Sequence, residues 1–276
     1  MKKFTLLGFF LVIVINGFSL RQAKLTITTD AEVDNLMINS GTTVEQTGSN
    51  LSVAGDFTNN GTFTANSNTV TLTGTNQTLS GDITFHDLTK TVSSTDVLTF
   101  GAGNTYTVGG TLTLHGASGN LLSLRSSTDG TQWKVDPTGR DLQYLDVKDS
   151  ENTSGTTINV TADYSTDSGN NTDWRFTPMS MEFTVSAGDE IALPLYGTVD
   201  VTVDWGDGSA TEDFSTPGEK SHTYDEAGTY TVTIGGTLTQ FGYQFGSYAG
   251  ADKLTTVNDF GEIGLTSLSG AFNGAT

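Results

Sequence analysis

The stretch Leu51-Ser-Val-Ala-Gly-Asp-Phe-Thr-Asn-Asn-Gly-Thr-Phe-Thr-Ala65, followed by Thr69-Val-Thr-Leu-Thr-Gly74, decides the fold. Apolar residues alternate with Thr or Ser over short runs, and each run ends at Gly or Asn. Period-2 alternation marks strands with one buried face. Strands this short do not build a large open sheet. They suit a coil that turns a corner every few residues and stacks on the next coil, burying one apolar column. The rhythm extends outward through Leu25-Thr-Ile27, Leu36-Met-Ile38, Ile83-Thr-Phe85, Val97-Leu-Thr-Phe100, Tyr106-Thr-Val108 and Thr111-Leu-Thr-Leu114. Asn39-Ser-Gly41, Ser80-Gly81 and Gly109-Gly110 punctuate it. Leu, Val, Ile and Phe are expected to point inward, Thr and Ser outward.

Composition agrees with an all-β chain. Thr supplies 49 of the 276 residues and Gly 33, against only 4 Pro. Thr is β-branched and suits pleated, half-exposed surfaces. There is no cysteine, which excludes disulfides, thiol nucleophiles and cysteine-ligated metal clusters. Acids outnumber bases 31 to 12, for a net charge of −19. Such a surface repels nucleic acid and anionic membrane, attracts calcium, and keeps the chain soluble.

The N-terminus reads as a secretory signal peptide over residues 1–22. Met1-Lys2-Lys3 is a basic start, Phe4 to Ile15 is apolar, and the chain turns polar after Leu20. The apolar run is shorter than the roughly 20 residues a membrane span needs. Export to the cell surface or medium is the expectation, with no membrane insertion after leader removal.

The segment 51–74 resembles the coils of bacterial secreted adhesins with right-handed parallel β-helices. Trp133-Lys-Val-Asp-Pro137, Leu142-Gln-Tyr-Leu-Asp-Val147 and Trp174-Arg-Phe176 resemble the terminal coils of surface β-helix modules. The resemblance covers 23–176 and implies that Trp174 and Phe176 plug the open end of the core. Parallel β-helices also house polysaccharide lyases, whose chemistry needs an Arg or Lys base beside calcium-holding aspartates. Here Lys90, Arg125, Lys134, Arg140 and Lys148 are scattered. Arg140-Asp141 with Asp136 reads as a turn salt bridge, and His86 and His115 read as structural or solvent-facing. Thr-x-Thr runs at 69–73, 105–107 and 111–113 raise an ice-binding alternative. Their irregular spacing predicts rows that do not align.

From residue 177 the texture changes. Alternating strands lead into Val203-Asp-Trp-Gly-Asp-Gly208, and later come His222-Thr-Tyr224 and Gly228-Thr-Tyr-Thr-Val232. The combination resembles a polycystic-kidney-disease (PKD) domain, an immunoglobulin-like β-sandwich of extracellular bacterial proteins, over 177–240. The resemblance makes Trp205, Gly206, Gly208, His222, Tyr224 and Tyr230 its structural motif. Trp205 is expected as a core anchor, and Tyr224 and Tyr230 as buried rings with bonded hydroxyls. Asp204, Asp207 and Asp213 can supply carboxylates to Ca2+, but no EF-hand-like spacing is present, which favours a turn role for Asp204 and Asp207. No other cofactor is expected.

Leu265-Thr-Ser-Leu-Ser-Gly-Ala-Phe-Asn-Gly-Ala275 resembles the opening of a BspA-type leucine-rich surface repeat, so 241–276 is expected to be a partial array. The assembled expectation is a non-catalytic bacterial protein for adhesion, display or stalk formation, binding extracellular glycans or proteins. The alternative is an accessory region of a secreted carbohydrate-active enzyme.

Overall fold

The computed structural model describes residues 23–243 and 246–275; the expected leader, 1–22, lies outside them. The described residues are all-β, with 26 strands and a single three-residue 3-10 helix, Ala251–Lys253. The chain divides into two compact units. One takes the residues up to Ile158 with Tyr164–Trp174, and the other takes Asn159–Asp163 with Arg175–Thr276.

The first unit is a parallel β-solenoid of about seven turns. Each turn lays down up to three short strands on three faces. The first face begins with Ala23–Ile27, Thr42–Gln46 and Thr62–Thr64, and the second with Ala31–Val33, Leu51–Val53 and Thr69–Leu72. The third runs through Leu36–Ile38, Phe57–Asn59, Gln77–Ser80, Asp96–Phe100, Leu122–Ser126, Leu145–Val147 and Thr166–Asp167. Thr105–His115 serves two faces, with a register shift between Val108 and Thr111 where Gly109-Gly110 bends the strand.

Alternation places the core as expected. Leu51, Val53, Phe57, Val70, Leu72, Leu79, Leu98 and Phe100 are buried, while the Thr and Ser between them stay half-exposed. Aromatic rings pack against one another inside it. Phe57 meets Phe63 and Phe85 edge-on at 5.1 and 5.9 Å, and Phe100 stacks on Trp133 at 3.9 Å. Edge-to-face and stacked pairs add about 0.5–1.5 kcal/mol each beyond their burial. At the last turn, Trp174 is buried and donates its indole N–H to Ser150 Oγ (3.2 Å).

Turn length varies from 17 residues (Trp133 to Ser150) to 29 (Tyr106 to Val135), yet the strands stay in register. Corners absorb the difference. The Thr-x-Thr rows do not pair with one another, but a single column of the second face does line up Ser52, Thr71, Thr89, Thr113 and Asp141. The neighbouring column reads Thr69, Asp87, Thr111, Gly139, so charge and a missing side chain interrupt the hydroxyl array.

Asp and Asn side chains join successive turns at these corners. The Asp56 N–H donates to Asn35 Oδ1 (2.7 Å), and Thr78 N–H donates to Asp56 Oδ1 (2.7 Å). Asp82 and Asp87 accept the N–H groups of Thr105 (2.9 Å) and Thr111 (2.7 Å) in the same way. A carboxylate that accepts backbone N–H bonds is held below its ordinary pKa. For Asp87, the Thr111 N–H is the main cause of such a lowering, assisted by His86.

One inward column carries charge. Lys90 aligns with Leu114 and Leu142 but is fully buried. Its ammonium donates to Gly74 O (2.7 Å) and Gln77 Oε1 (3.0 Å). Asp96 Oδ2 lies 2.8 Å from Nζ, which makes the two a buried ion pair. Asp96 Oδ1 accepts the N–H groups of Asn76 (2.7 Å) and Val97 (2.8 Å), and Gln77 Nε2 donates to Val53 O and Gly55 O. Burial pushes the Asp96 carboxyl up, but the Asn76 N–H, Lys90 and the Val97 N–H together hold it below the carboxylate range. Its folded pKa being depressed, its stabilisation is complete above the unfolded carboxylate value and fades as pH falls. Replacing Asp96 by Ala leaves a buried ammonium without its counter-ion and is expected to destabilise the solenoid by roughly 3–5 kcal/mol. Urea unfolding at pH 7 measures this, and the double variant Lys90→Met/Asp96→Leu should recover only part of the loss, because it leaves the Gly74 carbonyl and the Asn76 and Val97 amides without their partners.

The second unit is an antiparallel six-stranded sheet in the order Glu212–Phe214, Glu190–Asp204, Gly228–Phe241, Met179–Val185, Leu254–Asp259. Gly218–Thr223 pairs with the first half of Glu190–Asp204. Met181, Phe183, Ile191, Leu193, Trp205, Tyr224, Ile234 and Leu238 form its core. Residues of the expected array segment, Leu254, Ile263 and Ala271, pack into that same core.

Candidate functional site

The richest side-chain cluster of the second unit is built by the Asp204-Trp-Gly-Asp-Gly208 turn. Glu190–Asp204 delivers Trp205 to the core, where it is fully buried. The chain then reverses through Gly206 (φ 78°) and Gly208 (φ 83°), a region favouring glycine. A Cβ on Gly206 would stand 2.3 Å from Thr231 O, so no other residue fits there. The side chains of Asp204 and Asp207 close the turn by accepting the N–H groups of Gly206 (2.9 Å) and Ser209 (3.0 Å).

Around this turn His222 is enclosed on several sides. Its imidazole stacks on the Trp205 indole (centroids 4.9 Å, 11° between planes) and meets the Tyr224 ring edge-on at 4.9 Å. Its Nε2 lies 2.7 Å from Asp207 Oδ2, and Nδ1 lies 3.9 Å from Glu212 Oε1. Glu212 Oε1 also accepts the Trp205 indole N–H (3.1 Å). Tyr224 is buried and donates its hydroxyl to Trp205 O (2.9 Å). Tyr230, half-buried, stacks on Tyr224 at 4.6 Å and donates to Glu226 O (3.1 Å). One indole, one imidazole, two phenol rings and three carboxylates thus lock a single turn.

Bonds from Ser209 and then His222 outweigh burial and bring the Asp207 carboxyl down to about 2. Burial, with the Asp207 charge nearby, pushes the Tyr224 hydroxyl above its ordinary range.

Asp204 and Asp213, the other acids expected to serve calcium, are engaged separately. Asp213 Oδ1 accepts the Thr202 hydroxyl (2.7 Å). Among the described residues, no group of three or more His, Asp or Glu side chains stands close enough together to hold a metal ion.

In the solenoid, His86 Nδ1 lies 3.0 Å from Asp87 Oδ2 and His115 Nε2 lies 2.7 Å from Asp141 Oδ1. The expected Arg140–Asp141 bridge is replaced by other pairings. Arg140 donates to the carbonyls of Thr156 and Thr157 (both 3.1 Å), while Asp141 takes His115. Adjacent strand residues point to opposite faces, which separates the two side chains. Lys134 pairs with Glu151 at 3.2 Å, and Arg125 and Lys148 are paired with Asp146 and Asp129. The Lys90–Asp96 network has one signal in the sequence, the inward parity that Lys90 shares with Leu88.

A scan of protein-family models, a search of curated proteins and a search of solved structures each returned no match for the chain.

The Asp207 pairing is expected to show in acid stability. Its folded pKa being depressed, its contribution is complete above about pH 4 and disappears as pH falls toward 2. Asp207→Asn should cost on the order of 1 kcal/mol or less at neutral pH, since solvent screens this exposed turn, and flatten the loss of stability between pH 4 and 2. Urea unfolding across that range, compared with the parent chain, measures both effects.

Proposed function

We propose that this chain is a non-catalytic, extracellular bacterial surface protein that acts in adhesion or display, exported through the leader at 1–22. Its solenoid serves as a stiff stalk and binding module toward glycans or proteins. The observation that carries the reading is the unbroken parallel ladder of about seven turns, held without a cysteine. Backbone ladders and corner carboxylates do the work that disulfides do in other exported proteins. An acidic surface keeps such a rod soluble and turned away from nucleic acid.

In the finer reading, 177–240 is a PKD-like module and 241–276 a BspA-type repeat segment. The Trp205–His222–Tyr224 cluster supports a turn-locking role for the Asp-Trp-Gly-Asp-Gly motif. The bases of the solenoid support the non-catalytic part. Lys90, Arg125, Lys134 and Lys148 each face a carboxylate, and Arg140 two carbonyls, so each is committed to the scaffold.

The purified chain is expected to be retained on immobilised glycans or surface proteins while releasing no reducing ends from polysaccharides. A binding screen run beside hydrolysis and lyase assays tests this. Cleavage that persists through purification would overturn the reading in favour of a carbohydrate-active enzyme.

A further inference from the structure

Seven non-glycine residues among those described adopt the left-handed backbone region. Five are Asn66, Asn76, Asp149, Asn170 and Asp173, whose short polar side chains tolerate it. The other two are Tyr144 (φ 52°) and Tyr164 (φ 51°). A bulky aromatic residue there is an outlier costing on the order of 1–3 kcal/mol, kept only where its surroundings enforce it. Those surroundings are visible. Tyr144 O accepts the Leu122 N–H (3.0 Å) from the turn before, and Leu145 N–H donates to Ser165 Oγ (3.0 Å) on the turn after.

The two tyrosines stand on successive turns, since Asp146 pairs with Thr166 two residues further along each. Their rings are parallel within 10° at 5.3 Å, and Tyr164 is 55% exposed. Two strained backbones thus present one stacked aromatic surface to solvent at a single corner of the solenoid. The outward column Thr91, His115, Gln143 ends beside that corner. Gln143 is exposed, and His115 is held by Asp141.

We infer that the stacked pair Tyr144–Tyr164 is a binding platform for the ring face of a neutral sugar. The negative face of an aromatic ring attracts the weakly positive C–H groups on the flat side of a pyranose. Hydroxyls around the sugar rim require donors and acceptors close by, which Gln143, His115 and Asp141 supply. A chain of net charge −19 repels sulfated or uronic-acid glycans, so the ligand is uncharged. The inference rests on the extracellular reading above for its setting, but assigns a site and a ligand class that reading leaves open.

The test uses the full chain with neutral cello-, manno-, galacto- and chito-oligosaccharides, and polygalacturonate as the charged control. Calorimetry is expected to show binding to at least one neutral series. Tyr144→Asn and Tyr164→Asn should each weaken it by roughly tenfold or more, with a melting temperature equal to or above the parent, because Asn relieves the backbone strain. Tyr164→Phe keeps the ring and should retain binding. If Tyr144→Asn fails to fold, Tyr164→Asn and Gln143→Ala decide. Binding unchanged in the folded Asn variants, preference for polygalacturonate, or no neutral sugar bound would each overturn the platform. Retention on a surface protein with no sugar binding would sink the platform alone and leave the adhesion reading standing.

Discussion

The first unit depends on register between successive turns. A parallel ladder works only if each turn returns its N–H and C=O groups to the carbonyls and amides of the turn before. Here the turns differ by up to a dozen residues in length, yet Leu51 still meets Val70 and Leu88 meets Leu112. The extra residues sit in the corners. There Asp and Asn side chains take up backbone N–H groups that the uneven corners would leave unsatisfied, as Asp56, Asp82 and Asp87 do. Part of the acidity that looks like simple surface charge is therefore structural.

The same constraint explains the buried polar network. Where the second and third faces meet, Gly74, Gln77, Lys90 and Asp96 converge from neighbouring turns. The Gly74 carbonyl and the Asn76 and Val97 amides at that corner need partners inside the solenoid, and the charged pair supplies them. Such a pair contributes less by its own attraction than it would cost if half of it were removed. The Trp205–His222–Asp207 cluster of the second unit follows similar logic on a smaller scale: a tight Gly turn is held by stacking and by carboxylates that accept its amides.

Much of the solenoid was legible in advance, because alternation is a local property. Leu51, Val53 and Phe57 announce their inward direction through their neighbours, and Gly109-Gly110 announces a bend. The glycine turn after Trp205 was legible for the same reason. The pairing of Asp207 with His222 was not, since 15 residues and a reversal of the chain separate them. The column Thr71, Thr89, Thr113 was not legible either, because corner loops of unequal length set which residues meet across turns.

What the sequence alone determined is the all-β class, the side of each strand that faces inward, and the places where the chain turns. These follow from side-chain parity and from turn residues, which act over a few bonds. Only the tertiary structure decided which residues meet across turns: Lys90 with Asp96, His115 with Asp141, Tyr144 with Tyr164. Those meetings depend on how each coil closes on the last. Closure is fixed by the whole ladder at once, and by left-handed corners such as Tyr144 and Tyr164 whose conformation local preference opposes.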